Sequence, residues 1–110
     1  MKVIMMEVGK PAEVKDIDGS LEGMQKIVGG WIQSYYPFED EDVAIILNEE
    51  GKIIGLPANR VVYIHGYTSD ILCGPAFIVG SDPNLEDFSD LTDEQIERLM
   101  KKIDISTIKC

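Results

Sequence analysis

The sequence predicts an α+β fold, with a mainly antiparallel sheet and two helices packed on one face, and three observations predict it. Apolar runs rich in β-branched and aromatic residues recur between turn signals, at residues 3–6, 43–47 and 71–79. Two other segments carry helical spacing and cap chemistry, at residues 20–30 and 92–103. The resulting order of strand, strand, helix, several strands and helix is that of an α+β domain.

Taken in order, the run Val3-Ile4-Met5-Met6 is closed by Gly9-Lys10-Pro11, and residues 12–17 then alternate apolar and charged. These segments read as a hairpin with Pro11 outside the hydrogen-bonded ladder. Asp18-Gly19-Ser20 offers turn and N-cap chemistry, and Leu21, Met24, Ile27 and Val28 fall on one helical face before the stop at Gly29-Gly30. Gly23 inside this short helix costs about 1 kcal/mol relative to alanine, so tertiary packing must hold it. Residues 31–36 are aromatic-rich and fit a strand, ended by Pro37 and an acidic run.

Residues 43–47 suit a central strand covered on both faces. Asn48-Glu49-Glu50-Gly51 is a strong turn signal, from which Lys52-Ile53-Ile54-Gly55 is expected to return as the second arm of a hairpin. Leu56 to Arg60 interrupts the pattern, residues 61–64 resume an extended or short helical segment, and residues 65–70 read as a polar loop. Residues 71–79 read as one strand bent at Gly74-Pro75. Thr92 with Gln95 makes a capping box, followed by Ile96, Leu99, Met100 and Ile103 on one face. Acids lie early and lysines late in this helix, in agreement with its dipole.

At 110 residues, with an apolar share of 45% and a charged share of 27%, the chain fits one globular domain over residues 1–110. Its formal charge of -10 repels phosphate backbones, so direct nucleic-acid binding is not expected. Cys73 and Cys110 do not form a disulfide framework, and the N-terminus meets Glu7 before any signal-like apolar stretch. No run approaches the roughly 20 apolar residues that span a bilayer. A cytoplasmic protein without membrane association is expected.

The candidates for chemistry are few. His65 is the single histidine, Cys73 lies eight residues on, and nucleotide-loop, hydrolase-elbow and zinc signatures are absent. The expectation is a non-enzyme with no catalytic residues, no metal and no cofactor. The alternatives are an uncharacterised enzyme using His65 or Cys73, or an acidic structural or regulatory module that binds proteins.

Binding candidates are better represented. Asn59 and Arg60 follow Gly55 and Pro57, which fix an unusual backbone, and both side chains offer directional donors for a phosphate or carboxylate. Trp31, Tyr35 and Tyr36 could stack on a ligand or anchor a protein partner, and such aromatics also make a homodimer plausible. Alternation places Trp31, Gln33 and Tyr35 on one strand face, with Ile32, Ser34 and Tyr36 on the other. Glu39, Asp40, Glu41 and Asp42 form an acidic run suited to docking on a basic partner.

The order of motifs is also familiar. Residues 17–22, Val28-Gly29-Gly30, Tyr36-Pro37-Phe38, residues 48–52 and 55–60 resemble the domain of unknown function 3846 family. Residues 74–80, Asp87-Phe88 and Leu91-Thr92 resemble its C-terminal half, so the likeness covers nearly the whole chain. It implies a phage or mobile-element protein acting inside a bacterial host cell, and no residue roles. By analogy, such a protein would inhibit a host defence system, either by capturing a small nucleotide signal or by docking to a defence protein.

Overall fold

A computed structural model describes residues 1–110. Eight strands and two helices follow in the order β1 (Lys2–Met6), β2 (Glu13–Asp16), α1 (Leu21–Val28), β3 (Ile32–Tyr35), β4 (Val43–Asn48), β5 (Ala58–Ile64), β6 (Tyr67–Cys73), β7 (Ala76–Gly80), α2 (Asp93–Met100) and β8 (Thr107–Lys109). They form two sheets, a five-stranded one in the order β2-β1-β7-β4-β3 and a three-stranded one in the order β6-β5-β8. Every pairing is antiparallel except that of β5 with β8. The expected α+β class with a mainly antiparallel sheet is therefore what the chain adopts.

Alternation along the central strands divides the core in two. Val3, Met5, Ala44, Ile46, Phe77 and Val79 face Met24 and Val28 of α1. Ile4, Met6, Val43, Ile45, Leu47, Ala76 and Ile78 face Val62, Leu72 and Ile108 of the small sheet, together with Leu99 of α2. The two helices thus lie on opposite faces of the large sheet, and the expectation of both on one face is corrected. A sheet whose central strands are apolar on both sides must be covered twice, and two eight-residue helices cannot cover one face unaided.

Local signals placed the helices well. Ser20 caps α1 through its hydroxyl, which accepts from the Gly23 amide at 3.0 Å, and Gly29 closes the helix in a left-handed conformation. Thr92 and Gln95 complete the capping box of α2, with bonds of 2.9 and 3.1 Å. The β1–β2 hairpin also forms as expected.

Three expectations between residues 48 and 80 are corrected. Residues 52–55 are successive turns rather than a strand, since Ile54 N–H donates to the Glu50 carbonyl at 3.0 Å and Leu56 N–H to that of Gly51 at 2.9 Å. The Asn48 side chain starts the diversion by accepting the Glu50 amide at 2.8 Å, so β4 pairs instead with β3 and β7. Residues 65–70 are mostly strand: β5 and β6 form a hairpin closed by His65-Gly66 alone, both with positive φ, at 51° and 80°. Such two-residue turns match strand twist. Residues 71–79 split into the end of β6 and all of β7, which belong to different sheets joined by the Gly74-Pro75 corner.

A candidate ligand pocket beside Tyr35

Asn59 and Arg60 sit at the start of β5, where the small sheet meets the large one. Both are buried, at 6% and 1% exposure. Asn59 Nδ2 donates to the carbonyls of Met6 and Gly74, each at 2.8 Å. The Arg60 guanidinium donates to the carbonyls of Asp104 at 2.9 Å, Glu7 at 3.1 Å and Lys10 at 2.6 Å, and to Asn59 Oδ1 at 2.6 Å. Burial pushes the Arg60 pKa down, and these oxygens replace the lost hydration. This pair clips the β1–β2 turn and the approach to β8 onto β5, so its expected role as a ligand site gives way to a structural one. The polar atoms that the sequence offers to a ligand are spent on backbone carbonyls.

The acidic run is likewise engaged within the chain. Arg98 of α2 grips Glu41 in a fork, with bonds of 2.6 and 2.9 Å, and these bonds hold the Glu41 carboxyl below its ordinary pKa. Asp40 lies 3.8 Å from Lys102, and Glu39 lies 3.4 Å from His65. Asp42 alone of the four lies beside none of Arg98, Lys102 and His65 in such a contact. An uncompensated acidic docking face, as expected for Glu39, Asp40, Glu41 and Asp42, is therefore replaced by a partly neutralised one.

The aromatics separate by position. Phe38 is core, with the Lys102 ammonium 5.7 Å from its ring centre. Trp31 and Tyr36, at the two ends of β3, are exposed at 67% and 59%. Tyr35 is half-buried, and its hydroxyl is the one buried side-chain polar atom in the chain without a hydrogen-bond partner.

That residue lines a pocket of about 200 Å³ between β3 and β4 on one side and β6 with the 49–53 turn on the other. Gln33 and Tyr35 contribute from one face of β3, as alternation predicts. Leu47, Leu72, Ile71 and Ile53 supply apolar wall, and Cys73 lies at the base of β6. Lys52 and Asp70 join in an ion pair at this site, and the Asp70 carboxylate raises the Lys52 pKa. Asp70 is further tied to the Ile71 amide at 2.7 Å. Lys52 and Asp70 were missed by sequence reasoning because no local signal joins a turn lysine to a strand aspartate eighteen residues away.

His65 and Cys73 do not meet. His65 lies in the turn before β6 and Cys73 ends that strand, which spans about 20 Å at 3.3 Å per residue, so no thiol–imidazole pair forms. No group of three or more His, Cys, Asp or Glu side chains is placed to hold a metal ion. No helix is long and apolar enough to cross a membrane.

Residues 1–104 match the model of the family described as "Domain of unknown function (DUF3846)". The chain belongs to this family. The match takes in every element of the DUF3846 fold described above except β8, together with every residue of the pocket. No curated protein and no solved structure matches the chain.

Proposed function

We propose that this DUF3846 protein acts by holding a ligand rather than by transforming one, and that the ligand seats in the pocket beside Tyr35. The observation that carries this reading is the Tyr35 hydroxyl, buried without a partner at a pocket that also holds an ion pair. Buried hydroxyls are almost always bonded, and an unmade bond costs about 1–3 kcal/mol, so its persistence fits a group kept for something that arrives later. Lys52 and Asp70 would then exchange their mutual contact for opposite charges or dipoles on the ligand.

The fitting ligand is a small polar molecule with an apolar or planar body. A cavity of about 200 Å³ takes a nucleobase or ribose-sized part, below the range of about 300 Å³ and upwards usual for a whole drug-sized ligand. In the phage and mobile-element setting that the family resemblance implies, capture of a nucleotide-type signal of host defence is the form this binding takes. The alternative of docking through residues 39–42 has less support, because Glu41 and Asp40 already face Arg98 and Lys102.

Melting curves with nucleobases, nucleosides, cyclic nucleotides and ADP-ribose-type molecules test the reading. A ligand at one hundred times its Kd stabilises by about 2.7 kcal/mol, an upward shift of many degrees for a chain of this size. Tyr35→Phe and Asp70→Asn are each expected to abolish the shift while the ligand-free protein melts no lower than the wild type. A panel that moves no melting temperature overturns the proposal.

A further inference from the structure

The two edges of the large sheet are built differently. At the β2 edge all four residues are exposed and three are charged, Glu13, Lys15 and Asp16, which discourages another strand from adding there. At the β3 edge the sequence is Ile-Gln-Ser-Tyr, without a charge, in a chain of net charge -10. Two exposed aromatics, Trp31 and Tyr36, flank it.

The direction of each β3 backbone group follows from its ladder. The Trp31 carbonyl accepts from the Glu49 amide at 2.9 Å, and the register continues Ile32↔Asn48, Gln33↔Leu47, Ser34↔Ile46 and Tyr35↔Ile45. Alternate residues of an antiparallel pair are bonded across it, so Trp31, Gln33 and Tyr35 bond to β4. The amides and carbonyls of Ile32, Ser34 and Tyr36 therefore point away from the sheet.

We propose that a second copy of the chain pairs antiparallel onto this edge, about a two-fold axis through Ser34. That axis is the one that uses all three outward residues. Ser34 bonds to Ser34 of the partner subunit, and Ile32 to Tyr36 of the partner subunit on either side, for about six hydrogen bonds in all. Ile32 and Tyr36 form apolar cross-strand pairs on one face. On the other face Gln33 stands opposite Tyr35 of the partner subunit.

Gln33 and Tyr35 both line the pocket, so the pairing brings two pockets together across the axis. One shared site results, with about twice the volume of a single pocket of about 200 Å³ and with rim residues from both copies. A second copy fits this edge better than an unrelated peptide, because the outward residues read the same from both ends of the strand: apolar, serine, apolar. This consequence for the site rests on the ligand reading above, whereas the dimer itself does not.

The test is the mass in solution of the full chain, by light scattering and sedimentation, over roughly 5–500 μM to span weak and strong association. The wild type is expected to be a dimer that dissociates on dilution. Ser34→Pro removes an outward amide that β4 does not use, so it should yield a monomer with an unchanged circular dichroism spectrum. Should that variant fail to fold, Gln33→Glu serves instead: exposed and near-isosteric, it sets like charges about 8 Å apart across the axis and should weaken the dimer at least tenfold. A wild type that stays monomeric throughout overturns the proposal, as does a dimer indifferent to the substitution. Loss of ligand response in a protein that remains dimeric counts against the ligand reading alone.

Discussion

Two polar clusters are set into this fold, Asn59 with Arg60 and Tyr35 with Lys52 and Asp70, and they use their hydrogen-bonding capacity in opposite ways. In the first, a cation and an amide are buried, and five bonds run from them to five backbone carbonyls, with a sixth between the two side chains. In the second, a hydroxyl is buried with no bond at all beside an ion pair that is largely exposed. Saturated polar groups hold a structure together, while an unsatisfied buried one costs stability. The difference between them is measurable, because the same kind of substitution should have opposite consequences in the two places.

Arg60→Met carries the largest expected effect. It strands the carbonyls of Glu7, Lys10 and Asp104 and unties three segments at once, for a loss of about 4 kcal/mol by chemical denaturation. A loss under about 1 kcal/mol would break the contrast. Asn59→Ala should cost about 2 kcal/mol, since it orphans the Met6 and Gly74 carbonyls and an Arg60 donor. Tyr35→Phe, by contrast, should leave stability unchanged or raise it by up to about 1 kcal/mol, because a buried hydroxyl without a partner is removed. Destabilisation there would mean that the hydroxyl is already satisfied.

A smaller effect lies outside both clusters and calibrates them. Arg98 holds the folded Glu41 pKa below the unfolded value of about 4.3, so its contribution is complete above that value and disappears as pH falls through the lower, folded one. Glu41→Gln should flatten this acid limb in melting curves taken from pH 7 to pH 3, with a loss of roughly 2 °C at pH 7. At the weakest end stands Cys110, whose thiol is pushed by burial up to about 11. At pH 8 it should react with maleimide far more slowly in the folded chain than in denaturant.

How much of this was legible in the sequence depended on how local each cause was. Ser20, Thr92 and Gln95 cap helices through bonds spanning three residues, so sequence spacing specifies them. His65-Gly66 was legible in principle, since histidine is among the residues enriched at positive φ, but its polar neighbours masked the hairpin. Ile53 and Ile54 were misleading because apolar character was taken for burial, yet Ile53 is 84% exposed. Arg60 and Asn59 were singled out correctly as unusual, but no local pattern shows that Glu7, Lys10 and Asp104 bring them carbonyls from about fifty residues away. Tyr35 was read as a binding residue and does line the pocket, whereas Lys52 and Asp70 become neighbours only when β6 crosses the end of β4.

The Gly74-Pro75 corner fixes which residue can join the two sheets. Gly74 has a φ of 81°, a conformation that favours glycine, and a methyl group there would stand 2.6 Å from the Leu56 side chain. Asn59 fastens the Gly74 carbonyl from the far side. Any side chain at position 74 would have to displace Leu56 and hold a backbone shape that glycine adopts readily, so the joint between the two sheets is intolerant of substitution.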